Sequence, residues 1–249
     1  LEDNAGGGDV VLTSDTGALV TKAEGFQYLT QGAIESVTPS SGQLGTNVAL
    51  SGTSLYGGGS LAVSVTIGGA NAVIESQSDT NIVVSAGDAP AGASEIVITS
   101  NTGATVSLYD GFEYLEKGVI NAVEPNNGVV GTRITVSGER LRGGGDEAVS
   151  VELGGVEAEI TGESDDSVTI VANSGSAGAG DVVLTAESGA TVILADGWNY
   201  VDAIDDSLEP SSGQGGTVVQ VFGSNLLGGG SSVERVVLAG HEATLMSPL

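Results

Sequence analysis

The chain has 249 residues, of which 40% are apolar but only 4% aromatic, so it can build one large or two to three small domains with cores of Val, Ile, Leu and Ala. Its 32 acidic residues against six Lys and Arg give a formal charge of −26, which repels phosphate backbones and anionic membrane surfaces and argues against nucleic-acid partners. Cysteine is absent, which excludes disulfides, thiolate metal sites and cysteine nucleophiles, and no window approaches the ~18 apolar residues of a membrane span, so no membrane insertion is expected.

Residues 1–31 carry a phrase that returns twice. DVVLTSDTGALVTKAEGFQYL from Asp9 reappears as EIVITSNTGATVSLYDGFEYL from Glu95 and as DVVLTAESGATVILADGWNYV from Asp181. A different phrase follows each of them. It reads VTPSSGQLGTNVALSG from Val37, VEPNNGVVGTRITVSG from Val123 and LEPSSGQGGTVVQVFG from Leu208. Pro39, Pro125 and Pro210 are spaced by 86 and then 85 residues. The pairs Gly45-Thr46, Gly131-Thr132 and Gly216-Thr217 keep that step, as do the glycine triplets opening at Gly57, Gly143 and Gly228. The chain therefore divides into the closing part of one unit (1–31), two complete units (32–117 and 118–203) and the front part of another (204–249).

Within a unit the periodicity is that of strands. Val48 and Leu50 alternate with Asn47, Ala49 and Ser51; Val63, Val65 and Ile67 alternate with Ser64 and Thr66; Ile96 and Ile98 alternate with Glu95, Val97 and Thr99. Period-two alternation means one buried and one wet face. About seven such runs, separated by Gly, Ser, Asn and Asp, fit in each unit, which suits a two-sheet antiparallel sandwich. No helical stripe occurs, so parallel folds with crossover helices are excluded.

The Pro, Gly and Gly-Thr of the opening phrase, the alternating apolar run ending in Gly, the later Ile67-Gly68-Gly69 and the closing Gly111-Phe112-Glu113-Tyr114 together resemble the IPT/TIG domain. The resemblance covers the whole chain. It implies an all-β fold of tandem Ig-like, early-set sandwiches. It also implies a family found in surface receptors, bacterial and algal surface proteins, some polysaccharide-acting enzymes and some transcription factors. That family has no shared catalytic residues to carry over. The basic loops that its transcription-factor branch uses on DNA are missing here.

Several residues invite a chemical reading. His241 is the sole histidine and aligns with Ala70 and Val156, so no repeated chemistry can need it. Without Cys or a second His a transition-metal site has no ligand set, and no Gly-x-Ser-x-Gly supports a hydrolytic triad. The glycine triplets lack the Lys-Ser/Thr of a phosphate loop and read as flexible turns with positive φ. Acidic clusters at Asp146-Glu147, Asp165-Asp166 and Asp202 with Asp205-Asp206 match no EF-hand or Asp-rich repeat that gathers the six to eight oxygens of Ca²⁺, the other junctions carry no such cluster, and they read as solvated surface. Phe112 and Trp198 read as core plugs rather than sugar-stacking platforms. No Asn-x-Ser/Thr sequon is present. The sequence thus names no catalytic, cofactor-binding or metal-ligating residue.

Short junctions between repeats point to stacked units arranged as a rod. The expected role is an extracellular structural one, as a stalk, filament or fibre. The competing expectation is an adhesin or carbohydrate-binding array with glycan partners at a cell surface, and a third is an accessory segment of a polysaccharide enzyme. With no initiating Met or leader, the sequence is expected to be a mature or partial product of something longer. Leu1 aligns with Gly87 and Leu249 with Ser78, so 204–249 and 1–31 together lack only the counterpart of Asp79–Ala86. Two explanations remain open. Either the chain is a window on a longer array, or copies join head to tail, one chain's front half being completed by the next chain's closing strands. Both expect Val219 and Val221 to be covered by Val10, Leu12 and Tyr28 of a neighbouring segment.

Overall fold

The computed structural model describes residues 5–246. Every regular element in it is a β-strand. Leu1 and Leu249, which set the alignment of the ends, lie outside the described residues. Two compact units are present, one within Leu1–Lys117 plus Ser188–Ala190, the other within Gly118–Glu187 plus Thr191–Leu249.

The first unit begins with a hairpin, β1 (Gly6–Thr13) and β2 (Leu19–Tyr28), which pair only with each other. Then come β3 (Ala33–Thr38), β4 (Ser41–Gly42), β5 (Asn47–Thr53), β6 (Ala62–Ile67), β7 (Ala70–Gln77), β8 (Asn81–Ser85), β9 (Gly92–Ser100) and β10 (Thr105–Tyr114). Hydrogen bonding runs β3-β5-β8-β7-β6-β9-β10-β4, with β7 pairing with β8 on one side and β6 on the other. The two faces close on one core. Val48 and Leu50 of β5, Ile82 and Val84 of β8, Val65 and Ile67 of β6, and Ile96 and Ile98 of β9 are buried, with Phe112 and Tyr114 beside them.

The second unit holds β11 (Val119–Glu124), β12 (Asn127–Gly128), β13 (Arg133–Glu139), β14 (Ala148–Leu153), β15 (Val156–Glu157), β16 (Glu159–Glu163), β17 (Ser167–Val171), β18 (Gly178–Ala186) and β19 (Thr191–Tyr200). Here the sheets are separate, β11-β13-β17-β16 and β12-β19-β18-β14-β15. The counterpart of β7 is broken between β15 and β16, where Ala158 is buried and its N–H donates to the Val151 carbonyl. After it come β20 (Ile204–Glu209), β21 (Gln220–Ser224), β22 (Val236–Leu238) and β23 (His241–Ala243), paired as β20–β21 and β22–β23.

The all-β sandwich expected from the alternation is present, and its faces are assigned as the register requires except at Val63, which is 56% exposed while Val65 and Ile67 are buried, because the strand shifts register between Ala62 and Ser64 and turns Ala62 inward instead. Val48 and Ile134, Leu50 and Val136, Ile67 and Leu153, and Tyr114 and Tyr200 are all buried. Two features depart from a purely antiparallel seven-stranded unit. A short parallel pairing joins β4 to β10, and β12 to β19 likewise, which adds a strand. In the second unit the broken β7 counterpart adds another.

The repeated phrases are turn chemistry. Gly45, Gly131 and Gly216 have φ of 86°, 85° and 92°, a conformation that only glycine adopts without strain. The Thr that follows closes the turn. Its hydroxyl accepts the N–H of Gln43, Val129 or Gln214, at 3.0, 3.1 and 3.0 Å.

Val136 is fully buried in the second core, so Val136→Asp should destabilise that repeat by on the order of 4 kcal/mol, because an ionised carboxylate there has no partner. Thermal or chemical denaturation checks this, and an unchanged transition would refute the core assignment.

Candidate functional surface

Each residue singled out for possible chemistry has a structural role or stands alone. The glycine triplets are hydrogen-bonded double turns rather than loose loops. In the first repeat Gly57 N–H donates to Ser54 O and Gly59 N–H to Tyr56 O, both at 2.8 Å. The same pair of bonds recurs at Gly143 and Gly145 and at Gly228 and Gly230. The loop is pinned from below by an aspartate: Asp79 Oδ1 accepts Tyr56 N–H at 2.8 Å, and Asp165 Oδ1 accepts Arg142 N–H at 3.1 Å. One member of the Asp165-Asp166 cluster is thereby a structural acceptor.

A second carboxylate holds the bulge before the aromatic. Asp9 Oδ1 accepts the N–H of Glu24 at 2.7 Å, and Asp181 Oδ1 that of Asp196 at 2.9 Å. Glu24, Asp110 and Asp196 sit at φ of 47°, 52° and 52°, the left-handed region that short polar side chains enter most readily. Glycine follows, and a Cβ at Gly111 or Gly197 would lie 2.8 Å from the Cδ2 methyl of Leu108 or Leu194, which would have to move aside for any larger residue. This explains the acid-Gly-aromatic motif without any ligand.

His241 is exposed and follows a tight Ala239-Gly240 hairpin turn whose residues both have positive φ. Among the described residues no group of three or more His, Cys, Asp and Glu is arranged to hold a metal ion. Asp202 is exposed; the side chains of Asp205 and Asp206 lie outside the described set. Phe112 and Trp198 are buried, each in edge-to-face contact with the following Tyr at 5.1 and 5.5 Å between ring centres. The Trp198 Nε1–H and the Tyr200 hydroxyl have no hydrogen-bond partner.

One site escaped the sequence reading. Gln77 braces the start of β6 through its amide, accepting Ala62 N–H at 2.7 Å and donating to Ala62 O at 3.2 Å. The aligned Glu163 accepts Ala148 N–H at 3.3 Å but cannot donate. Its carboxylate instead takes a two-pronged contact from Arg142, at 2.9 and 2.7 Å, where the first repeat has Tyr56. The guanidinium hydrogen bond, with a smaller contribution from Ala148 N–H, holds the Glu163 carboxyl below its ordinary range, and Arg142 is raised in turn. The signal was a paired change, Tyr to Arg and Gln to Glu, separated by 21 residues.

What remains is a surface. The hairpin β1–β2 carries the sequence of β9–β10, yet its apolar face is open. Leu12 is 65% exposed where Ile98 is 0%, and Tyr28 65% where Tyr114 is 2%. Val10, Val20 and Phe26 are open too. The front part mirrors this: Val221 is 40% exposed where Leu50 is 0%, and Leu226 42% where Leu55 is 1%. Val219 is half-buried. The cover expected over Val219 and Val221 is not supplied within either unit.

The sequence profile of the IPT/TIG domain matches residues 33–114 and 119–196. No curated protein sequence matches the chain. Among solved structures, the plexin A4 full extracellular region is 20% identical over 86% of this chain and 20% of its own, with a TM-score of 0.42. The SGBP-B of the Bacteroides ovatus mixed-linkage glucan utilization locus, in complex with a mixed-linkage heptasaccharide, is 14% identical over 79% of this chain and 53% of its own, with a TM-score of 0.30. A gamma-CGTase from alkalophilic Bacillus clarkii is 17% identical over 74% of this chain and 29% of its own, with a TM-score of 0.31. The chain thus spans about a fifth of the plexin region and half of the glucan-locus protein.

Two outcomes follow from this chemistry. Trp198→Phe, which installs the residue of the first repeat, removes a buried N–H without a partner, so stability should change by less than about 1 kcal/mol, whereas Trp198→Ala should cost about 3–5 kcal/mol; urea denaturation separates them. Glu163 is ionised in both folded and unfolded chains near neutrality, and the pair contributes there. As pH falls below the ordinary glutamate value of about 4.3, the unfolded chain takes up a proton first, and that stability drains away until the folded carboxyl is protonated too. Glu163→Gln should therefore flatten the acid limb of the second repeat's stability profile, read as melting temperature against pH.

Proposed function

This chain belongs to the IPT/TIG domain family, and we propose that it is a structural segment of an extracellular or cell-surface protein, a spacer or filament unit built from stacked Ig-like sandwiches. The organisation proposed is the closing part of a unit in 1–31, complete units in 32–117 and 118–203, and a front part in 204–249. The observation that carries the reading is that every recurrent motif is consumed by turns, bulges and core. Gly45-Thr46, the glycine triplet with Asp79, and Gly111-Phe112 all hold the sandwich together, and among the described residues no group of three or more His, Cys, Asp and Glu is arranged to hold a metal ion.

The junction between the complete repeats is short. Only Leu115-Glu116-Lys117-Gly118 separates β10 from β11. Lys117 is ion-paired to Asp88. Gly118 lies so close to the Arg140 carbonyl that a Cβ would collide with it. The strong net negative charge favours solubility.

Glycan binding is the competing reading. Sugar platforms need exposed rings; within the two complete repeats Phe112 and Trp198 are buried, and Tyr109, exposed on β10, has Ala195 as its counterpart, so no exposed ring recurs between them, although Phe26, Tyr28 and Phe222 are exposed in the flanking parts. The structural reading is therefore preferred, with no cofactor, metal or turnover required.

Negative-stain images of the purified chain should show elongated particles whose length rises with repeat number. Globular particles together with saturable binding to a glycan array would replace this reading with the carbohydrate-binding one.

A further inference from the structure

The second complete repeat carries one chemically labile dipeptide that the other units lack. Its short parallel strand β12 is Asn127-Gly128, where the first repeat has Ser41-Gly42 and the front part has Ser212-Gly213. It is the sole Asn-Gly pair in the sequence. The turn that follows imposes the glycine. A Cβ at Gly128 would collide with the Thr132 side chain, whose hydroxyl accepts the Val129 N–H at 3.1 Å. Without a side chain on Gly128, its backbone nitrogen can reach the amide carbon of Asn127 unhindered once the chain is free to rotate. Attack of that nitrogen on Cγ closes a five-membered succinimide, and the nitrogen's proton leaves with the side-chain amide as ammonia. Water then opens the ring at either carbonyl. One opening gives aspartate; the other gives isoaspartate, with the main chain rerouted through the side chain.

The fold holds this reaction back. Asn126 O accepts the Asn199 N–H at 3.0 Å, and Gly128 O accepts the Val201 N–H at 2.9 Å. Asn127 lies opposite Asn199 and Gly128 opposite Tyr200, so the parallel ladder points the Gly128 N–H at the Asn199 carbonyl between those two bonds. The attacking nitrogen is thereby engaged as a donor. Asn127 is extended and fixed on both sides, and its Nδ2–H donates to Asn126 Oδ1 at 3.1 Å. Ring closure needs Cγ swung over the Gly128 nitrogen, a backbone rotation that the paired strand does not permit. Yet β12 is only two residues long, so its detachment breaks few bonds, and segments of that kind lie at the low end of local stability.

We propose that Asn127 is a deamidation site gated by β12, silent while the strand is paired with β19 and converted when the strand opens. The product does not return to the starting state. Isoaspartate lengthens the main chain by a methylene between Asn126 and Gly128, so the two carbonyl contacts with β19 can no longer form together. Aspartate places a carboxylate where the amide donated to Asn126. Opening of β12 is recorded as permanent negative charge in the second repeat, and the first repeat, with Ser41, keeps no such record. The site stands independently of the structural role proposed above.

Peptide mapping by mass spectrometry tests this on the full 249-residue chain incubated at neutral pH, with isoaspartate resolved chromatographically. In guanidinium chloride the Asn127 peptide should convert to the acid form ahead of every other asparagine peptide. In the native chain its conversion should be slower by about tenfold or more, because the rate follows the fraction of time that β12 is open. Thr132→Val deletes the hydroxyl that closes the turn after β12 and should speed native conversion severalfold. Thr46→Val, the same change in the first repeat, should leave the rate at Asn127 as in wild type. Trp198, the sole tryptophan, is buried in the second core, so its emission reports whether Thr132→Val keeps that core. If the core is lost in that variant, the native and denatured wild type decide the matter by themselves. Asn127→Ser should abolish the conversion. Equal rates in native and denatured wild type would overturn the gate, as would an unchanged rate in a Thr132→Val chain with its core intact. A denatured chain that leaves Asn127 unconverted would overturn the site itself.

Discussion

The face made by Val48 and Leu50 in one sheet and the face made by Ile96 and Ile98 in the other are apolar, and each is kept from water only by the other. Burial of this kind is the dominant favourable contribution to folding, and it is roughly proportional to the area covered. Almost everything else in a repeat serves to bring those faces together. The turns reverse the chain in the space of a few atoms, the bulge before the aromatic re-aims the last strand, and Phe112 with Tyr114 fills one part of the core. With few aromatic residues available, that filling depends on close packing of branched aliphatic chains, which tolerates neither voids nor charges.

Much of this was legible in the residues. Alternation assigns the wet side wherever a strand runs without a bulge, and the 86-residue register transfers that assignment from Leu50 to Val136 without further information; at Val63 the bulge between Ala62 and Ser64 reverses it. Gly45 and Thr46 announce a turn because one supplies a left-handed backbone and the other a hydroxyl acceptor, both local properties. The short parallel strand β4 was not legible. It consists of Ser41-Gly42 pairing with Glu113 and Tyr114, and nothing in two small residues specifies a partner so far along the chain. The break between β15 and β16 was hidden for a similar reason, since Val156-Glu157-Ala158-Glu159 still alternates like a continuous strand.

The polar sites divide along the same line. His241 and the glycine triplets read as non-chemical because a catalytic or metal site needs partners at definite spacings, and the sequence offers none at those spacings. The contact between Arg142 and Glu163 needs two residues that meet only after the hairpin folds, so neither one by itself carries a signal. It also departs from the view of the acids as a uniformly solvated surface. Asp79, Asp165 and Asp181 accept backbone N–H groups at defined distances, so part of the negative charge is architectural and part is bare.

The brace at the start of β6 and β14 has a consequence for how such a chain reaches its folded state. Consecutive repeats with nearly the same strand pattern invite exchange, in which a strand of one repeat enters the sheet of its neighbour during synthesis or refolding. If β16 took the place of β7, Glu163 would face Ala62 beside Tyr56, with no guanidinium to neutralise it. If β7 took the place of β16, Arg142 would lose its carboxylate. The apolar positions cannot make this distinction, since Leu50 and Val136, or Ile67 and Leu153, are near equivalents in either core. Compensated differences at an otherwise shared position act as an address on each strand, penalising the wrong neighbour while leaving the common core untouched. Tandem modules that must fold side by side are thereby kept chemically distinguishable at the point where confusing them would do most harm.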